Sequence, residues 1–376
     1  MNPVYFWIIL ALSSVSWFIY PLFLCFSALF RRNTPWIEPV EWPSVSILVA
    51  AKNEENVIAR RIENLLAQDY PGRLEILIGS DSSDDATDEI VQTFAVDDVI
   101  LFRSPDRIGK PLIMQELLKL SGNDIIVFTD ADTEFAADAV KELVLPYGNS
   151  RVGCVDGSRM NSLDGTTCES AYWKYEKAIK KLCSRLGAVL GATGAIFSLR
   201  RNLFMPAAPN RADDFELAVM TRVQGYSCVF NERAIAVEPS PDDSSQYHRM
   251  VRIVSWMVTS CVLLMGKALK KGKILLFLQL LVHKMLRWFS GILILCATVL
   301  SGFLAGSPVY TAVFLLMCSF HLLAVAGLFL KSRLPSRLLF PYYFWLMNIA
   351  SIDGIFRTLA GNPVEMWEKK TLEEDN

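Results

Sequence analysis

The sequence lacks several patterns that would point directly to a function. Its eight cysteines include no CxxC pair, so neither a zinc site nor a disulfide framework is indicated. A reducing compartment suits those cysteines that lie outside a membrane. Neither GxGxxG nor GxxxxGK[ST] occurs, which argues against a dinucleotide site and a P-loop. The formal net charge is only −2, so no bulk affinity for nucleic acid is expected.

Long apolar runs, in contrast, are abundant, and 52% of the residues are hydrophobic. Val4 to Phe30 carries no charge and is long enough to cross a bilayer as a helix. Arg31 and Arg32 follow it, whereas a signal peptide has its basic residues before the apolar core. We predict that residues 1–31 form a retained anchor whose C-terminal end lies in the cytoplasm.

The C-terminal part of the sequence also suits a membrane. Residues 248–288 mix apolar and basic residues, which predicts amphipathic helices at the membrane surface. Residues 289–357 form a predicted transmembrane region of two spanning helices, joined by a tight turn at 302–308. Basic residues after the second helix predict a cytoplasmic tail, 358–376. The short run Leu338 to Ile352 either spans or lies in the interface, with an interfacial or re-entrant helix favoured.

Residues 42–247 are predicted to form a water-soluble domain. Short apolar strands alternate in it with helical patterns, which is typical of a parallel sheet with right-handed crossovers. The predicted strands are Ser44–Ala50, Leu74–Ser80, Val99–Phe102 and Ile125–Phe128.

Acidic side chains follow three of these strands. Asp130 and Asp132 come after the fourth strand, and ligands of an open parallel sheet bind at the carboxyl ends of its strands. Two carboxylates there suit magnesium or manganese, which share their coordination with water and phosphates. The alternative is a plain surface turn, which Asp favours. Glu54 and Asp81, after the first two strands, favour a nucleotide-plus-metal site. Lys110 either approaches the phosphates or begins a solvated helix.

An ordered set of motifs resembles a known family. It resembles the membrane-bound family 2 glycosyltransferases of the GT-A type, the group of the cellulose, hyaluronan and poly-N-acetylglucosamine synthases. The motifs are AAKNEE (50–55), SDSSDDATDE (80–89), RIGKP (107–111), FTDADTE (128–134), ESAYWKYE (169–176), GATGAIFSLRRNLF (191–204), ADDFEL (212–217), GYSCVFNERAIAVE (225–238) and HKMLRW (283–288).

The resemblance implies a fold and a set of roles. The fold would be α/β of the GT-A type, a Rossmann-like, mostly parallel sheet in the cytoplasm between N- and C-terminal transmembrane helices. Glu54 and Asp81 would hold the nucleotide, Asp130 its sugar and diphosphate, and Asp132 a magnesium or manganese ion. Asp214 would be the catalytic base. Asp213 would assist it, or would instead cap the following helix.

Two further groups have more than one interpretation. Gly191, Thr193 and Gly194 would line the acceptor side, although the segment is also a glycine-rich turn. Arg249 and Arg252 would meet the diphosphate or else lipid headgroups. Met250 replaces the tryptophan of the QxxRW signature that processive synthases carry, which leaves processivity open.

The resemblance implies an inverting, metal-dependent transferase in the inner (plasma) membrane, multi-pass, with its catalytic domain in the cytoplasm. It would transfer a sugar from a nucleotide donor, UDP-linked by expectation, to a growing extracellular polysaccharide. The alternatives are single transfer to a lipid-linked acceptor and an inactive scaffold of a polysaccharide assembly. The expected partners are the nucleotide-sugar donor, a saccharide or lipid-linked acceptor, membrane lipid and other polysaccharide export subunits, with no nucleic acid.

Overall fold

Eight strands form one sheet in the middle of the chain. The computed structural model describes residues 2–31, 36–94, 98–161, 168–206, 208, 211–238, 243–331 and 333–361. Most of the predicted tail, 358–376, lies outside these residues. The strands are β1 (Val45–Ala51), β2 (Leu74–Asp81), β3 (Val99–Ser104), β4 (Ile125–Asp130), β5 (Glu134–Phe135), β6 (Val152–Asn161), β7 (Ile196–Arg200) and β8 (Ser227–Glu238).

Helices flank the sheet and make up both ends of the described chain. They are α1 (Pro3–Ser14), α2 (Tyr20–Leu29), α3 (Ile58–Leu66), α4 (Thr87–Gln92), α5 (Lys110–Leu120), α6 (Ala139–Val144), α7 (Cys168–Arg185), α8 (Asp213–Val223), α9 (Asp243–Lys270), α10 (Ile274–Leu280), α11 (Leu286–Trp288), α12 (Ser290–Phe303), α13 (Pro308–Leu330) and α14 (Phe340–Leu359).

The sheet is mixed, with parallel pairing dominant. Its order is β3-β2-β1-β4-β7-β6-β8-β5. The first four of these strands run parallel, as their alternation with helices predicts. β7 then pairs antiparallel with β4 and with β6, whereas β8 pairs parallel with β6. The expected α/β fold is thus confirmed, with an antiparallel insertion at β7.

The central strands are buried on both faces, which explains their continuous apolar sequences. In β1, Ile47 belongs to a core with α3, α4 and α6, and the next residue, Leu48, belongs to a core on the opposite face. That second core contains α5, α7, α8 and, from α2, Leu24. The N-terminal helical segment therefore packs directly against the sheet domain.

Several helices in the described residues are long and apolar enough to cross a membrane. They are Pro3–Leu29, Tyr247–Lys270 and Pro308–Leu330, and the pair Ile274–Trp288 and Ser290–Phe303, bent by 63°, is a fourth candidate. Tyr247–Lys270 was expected at the membrane surface, and its inner face packs on α8. The interfacial position of this helix stays a prediction. α14, which contains most of Leu338 to Ile352, is not among the candidate spans.

Candidate active site

The carboxyl ends of three parallel strands meet at one edge of the sheet. Asp130 ends β4 and pairs in register with Ala50 of β1, and Ala51 pairs with Ser80 of β2. Glu54 follows β1 and is only 8% exposed. Its backbone N–H donates to Thr87 Oγ1 at 2.8 Å. The structure therefore brings the predicted strand-end residues to one crevice, because parallel strands end on the same side.

Asp81 has a specific protein contact that the sequence did not predict. Its two carboxylate oxygens accept the backbone N–H groups of Ile108 at 2.7 Å and Gly109 at 2.9 Å. Gly109 has φ +86°, a conformation that favours glycine. Asp81 thus holds the turn that places Lys110 at the start of α5. Contact between Asp81 and a nucleotide stays a prediction.

Lys110 links two of the predicted acidic groups. Its ammonium forms an ion pair with Asp130. Burial by itself disfavours the charged ammonium, but attraction by Asp130, Asp213 and Asp214 outweighs it and raises the pKa of Lys110. Lys110, the first residue of α5, therefore carries a positive charge between the end of β4 and the first turn of α8. Its approach to the phosphates stays a prediction.

Asp213 and Asp214 are the first two residues of α8. The residue at the N-cap position is Ala212, so the alternative in which Asp213 caps the helix is wrong. Asp214 Oδ1 accepts the N–H of Phe215 at 2.7 Å. Burial, and then the charge of Asp213, raise the pKa of Asp214 to about 7, against the opposing effect of Lys110. A carboxylate with that pKa can accept a proton near neutral pH.

The glycine-rich turn closes over this acidic pair. A Cβ on Gly194 would lie 3.2 Å from Asp214 Oδ2 and 3.7 Å from Lys110 Nζ. Gly191 has φ +96°, and a Cβ there would lie 3.0 Å from the Phe215 ring. Only glycine lets the backbone approach α8 so closely. The predicted acceptor segment thus lies beside the predicted base.

The DxD pair suits an open metal site. Asp132 is exposed and Asp130 is half-buried. The described residues contain no group of three or more His, Cys, Asp or Glu side chains placed to hold an ion. Two carboxylates fit a magnesium or manganese ion that takes its remaining ligands from water and phosphate. They do not fit a closed protein cage.

A buried arginine beneath this pair was not predicted. Arg61 is 2% exposed and donates to Thr129 Oγ1 at 2.7 Å. Burial lowers the pKa of Arg61, while Asp130, Asp132 and Glu134 counteract that shift. Its positive charge therefore stabilises the carboxylates from behind. An arginine on the apolar face of a short helix is the only sequence signal for it.

A second charged cluster lies beside the same carboxylates. Arg249 and Arg159 contact Glu238 Oε2 at 3.5 and 3.1 Å. Burial raises the pKa of Glu238, the two arginines lower it, and Asp130 and Asp132 raise it further. Arg252 lies within electrostatic range of Asp130. The structure thus brings both predicted arginines near the crevice. Glu238, the last residue of β8, and Arg159 were missed.

Comparison with known proteins finds a family model and relatives that match part of this chain. Residues 46–205 match the family model described as Glycosyl transferase family 2. An N-acetylglucosaminyltransferase of Rhizobium sp. (strain N33) is 24% identical over 231 residues, 55% of this chain and 51% of that protein. A beta-monoglucosyldiacylglycerol synthase of Trichormus variabilis is 39% identical over 118 residues, 30% of this chain and 25% of that protein. The chain thus spans about half the length, or less, of these curated relatives.

A solved structure extends the likeness to most of the fold. It is the mannosyltransferase PcManGT from Pyrobaculum calidifontis, in complex with GDP-Man and Mn²⁺. The TM-score is 0.70 at 22% identity, over 94% of this chain and 98% of that one. The fold is therefore of the GT-A type. The chain carries a glycosyl transferase family 2 domain, as the motifs predict.

Proposed function

We propose that the protein transfers a sugar from a nucleotide-sugar donor, with inversion, at the cytoplasmic surface of the inner membrane. The observation that carries this proposal is the position of Asp214. Asp214 is a half-buried carboxylate with a pKa raised to about 7. It lies beside the Lys110–Asp130 ion pair, where three parallel strands end. A base with that pKa and a fixed cation in one crevice suit transfer to a hydroxyl.

The chain's own groups can perform a single displacement. Asp214 accepts the proton of an acceptor hydroxyl. That oxygen forms the new bond to the anomeric carbon, and the bond from this carbon to the diphosphate oxygen breaks with its electron pair. One displacement inverts the anomeric configuration. Lys110, Arg249 and Arg252 are proposed to offset the charge that develops on the leaving diphosphate.

Asp132 and Asp130 are the residues that would hold a divalent cation. The ion would act as a Lewis acid that stabilises the negative charge of the diphosphate. Glu54 and Asp81 are proposed to hold the nucleotide. Asp81 does so while it orients the turn before Lys110. Gly191, Thr193 and Gly194 are proposed to line the acceptor path beside Asp214, with Asp213 assisting by its charge.

The proposed donor is a UDP-linked hexose or N-acetylhexosamine, and the proposed acceptor is a growing extracellular polysaccharide with its export subunits. The relatives named N-acetylglucosaminyltransferase support this choice. Transfer of one sugar to a lipid-linked acceptor is the second candidate. It is favoured by the small number of candidate spans in the described residues, three or four, and by Met250 in place of the signature tryptophan.

The test measures nucleotide release by purified protein in detergent. UDP-sugars and GDP-mannose are supplied as donors, with Mn²⁺ or Mg²⁺ and with bacterial inner-membrane vesicles as the acceptor source. Turnover with one donor, abolished by chelation and reduced at least about 10²-fold in Asp214→Asn and in Asp132→Ala, is expected. Glu89→Gln, a change on the exposed side of α4, is the control and should retain full turnover.

The products distinguish the two candidates. A ladder of lengths indicates polymerisation, whereas a single addition indicates transfer to a lipid-linked acceptor. Nucleotide binding without turnover for any donor would contradict the proposal and favour the inactive scaffold.

A further inference from the structure

An ion pair between a buried carboxylate and a half-buried lysine lies beneath the glycine-rich turn. Asp156 of β6 is fully buried, with 0% exposure, and Lys180 of α7 contacts its Oδ2 at 2.7 Å. A buried carboxylate requires such partners, because its charge is otherwise costly to remove from water. An ion pair with a buried member contributes little net stability, because removing the charge from water offsets the attraction. We therefore expect the main effect of this pair on the segment that it holds.

Both members of the pair bind the same residue of that segment. The backbone N–H of Thr193 donates to Asp156 Oδ1 at 2.7 Å. Lys180 Nζ donates to Thr193 Oγ1 at 2.9 Å. The carbonyl of Thr193 accepts the N–H of Ile196, the first residue of β7, at 2.9 Å. Three hydrogen bonds therefore fix both the backbone and the side chain of Thr193.

The next residue in the chain, Gly194, lies close to the proposed base. A Cβ on Gly194 would meet Asp214 Oδ2 at 3.2 Å, so the main chain of Gly194 forms one wall of the space around that carboxylate. A displacement of Thr193 would carry Gly194 with it. The opening through which a hydroxyl reaches Asp214 would then change its shape.

We propose that Asp156 and Lys180 are a positioning pair, which fixes Thr193 and Gly194 against Asp214 so that the acceptor hydroxyl approaches the base in the productive orientation. This inference rests on the proposed function. The pair is hydrogen-bonded to Thr193, on the proposed acceptor side of the site. Its loss should therefore affect the acceptor and leave the donor unaffected.

Three variants separate positioning from folding. Thr193→Val removes the bond from Lys180 and keeps the shape of the side chain. Lys180→Met leaves Asp156 charged and without its cation, which can prevent folding. Asp156→Asn combined with Lys180→Met removes both charges, and the asparagine oxygen can still accept the Thr193 N–H. The control is Lys181→Met, because Lys181 pairs with Glu232 at 2.6 Å, away from the turn.

Two measurements are made on each variant. The first is hydrogen exchange of the backbone amides at 192–196. The second is the rate of nucleotide release, measured in one series at varied donor concentration and in another at varied concentration of inner-membrane vesicles. The two series give a KM for the donor and a KM for the vesicles. We expect faster exchange at 192–196 in Thr193→Val and in the double variant. We also expect kcat/KM for the vesicles to be about tenfold lower, because displacements near 1 Å cost one to two orders of magnitude. The donor KM should stay within twofold.

The following outcomes would overturn either the positioning pair or the proposed function. If the parent protein turns over, a variant whose amide exchange at 192–196 and whose vesicle kinetics equal those of Lys181→Met would overturn the positioning pair. Equal losses of kcat/KM for donor and for vesicles would indicate general damage and overturn it too. The same holds if Thr193→Ser, which keeps the hydroxyl, loses as much kcat/KM for the vesicles as Thr193→Val. A parent protein with no turnover for any donor would instead overturn the proposed function, on which this inference depends.

Discussion

At the scale of single residues, the proposed role of Asp214 as the base predicts how turnover responds to pH. Burial and the charge of Asp213 raise its pKa to about 7, and only the ionised carboxylate can accept a proton. Turnover should therefore increase with pH to a plateau above about 7. Asp213→Asn removes the neighbouring charge and should move the midpoint to lower pH. The pH profile of kcat tests this, with the exposed Asp138→Asn as the control. An unchanged midpoint in Asp213→Asn would count against the role of Asp213.

Ionisation of the Asp214 carboxyl, which is expected to increase turnover, should decrease the free energy of unfolding. Its pKa is raised from 3.8 to about 7 in the folded chain, so the folded state binds the proton more tightly than the unfolded state. The free energy of unfolding should therefore decrease as pH rises from about 4 to about 7. Asp214→Asn keeps an oxygen for the Phe215 N–H and cannot ionise.

Thermal unfolding in detergent measures the result. Asp214→Asn should have a higher Tm than the parent at pH 8, where a gain of about 1 kcal/mol corresponds to roughly 2 °C. It should show no gain at pH 4, where the parent carboxyl is protonated too. An equal shift at both pH values would show that the charge is not the cause.

At the scale of elements, the close approach of the glycine-rich turn to α8 is the feature most sensitive to substitution. Gly194→Ala introduces a Cβ 3.2 Å from Asp214 Oδ2, so either the turn or the carboxylate must shift. We expect kcat to fall about tenfold or more, with little change in nucleotide affinity. Gly122→Ala is the matched control, since nothing lies within 4 Å of its Cβ position. Full activity of Gly194→Ala would show that the approach is not required.

The contact between α14 and α9 makes a second prediction at this scale. A Cβ on Gly354 would lie 2.6 Å from the carbonyl oxygen of Val251, which lies between Arg249 and Arg252 in sequence. Gly354→Ala should separate the helices, move both arginines and raise the donor KM several-fold. Titration of donor at saturating metal tests this. Gly306→Ala, with nothing within 4 Å, should leave the donor KM unchanged.

The elements also show what the sequence could predict. β1, β2 and β4 have local signals, namely apolar runs followed by acidic residues, and the strand-end groups meet because parallel strands share an edge. Glu238 and Arg159 meet through pairing of β8 with β6, between segments far apart in the chain, which no local pattern encodes. The alternative role of Asp213 as a helix cap was predicted from the preference of Asp for cap positions. However, α8 begins one residue earlier than that role requires.

At the scale of the whole molecule, charge and packing predict the same orientation in the membrane. Lys331 and Arg333 follow α13, and these basic residues predict that this end lies in the cytoplasm. The turn at 302–308 would then face outward. Packing is consistent with this orientation. Trp7 Nε1, near the start of α1, donates to the hydroxyl of Tyr310 at 3.1 Å. Since Tyr310 follows the turn at 302–308, the start of α1 would lie on the same outer side as that turn. Trp17 Nε1 donates to Ser290 Oγ at 2.9 Å, nearer the sheet domain.

Labelling with a membrane-impermeant maleimide tests this orientation. The cysteines at 25, 168, 296 and 318 are first replaced by serine, whereas Cys154, Cys183, Cys228 and Cys261 are buried and are kept. Ser307→Cys in this background should react in intact cells, whereas Arg333→Cys should react only after permeabilisation. The reverse pattern would place Asp214 outside the cell, away from cytoplasmic nucleotide sugars, and would contradict the proposed function together with the orientation. Reaction at neither position in intact cells would contradict an outward turn alone.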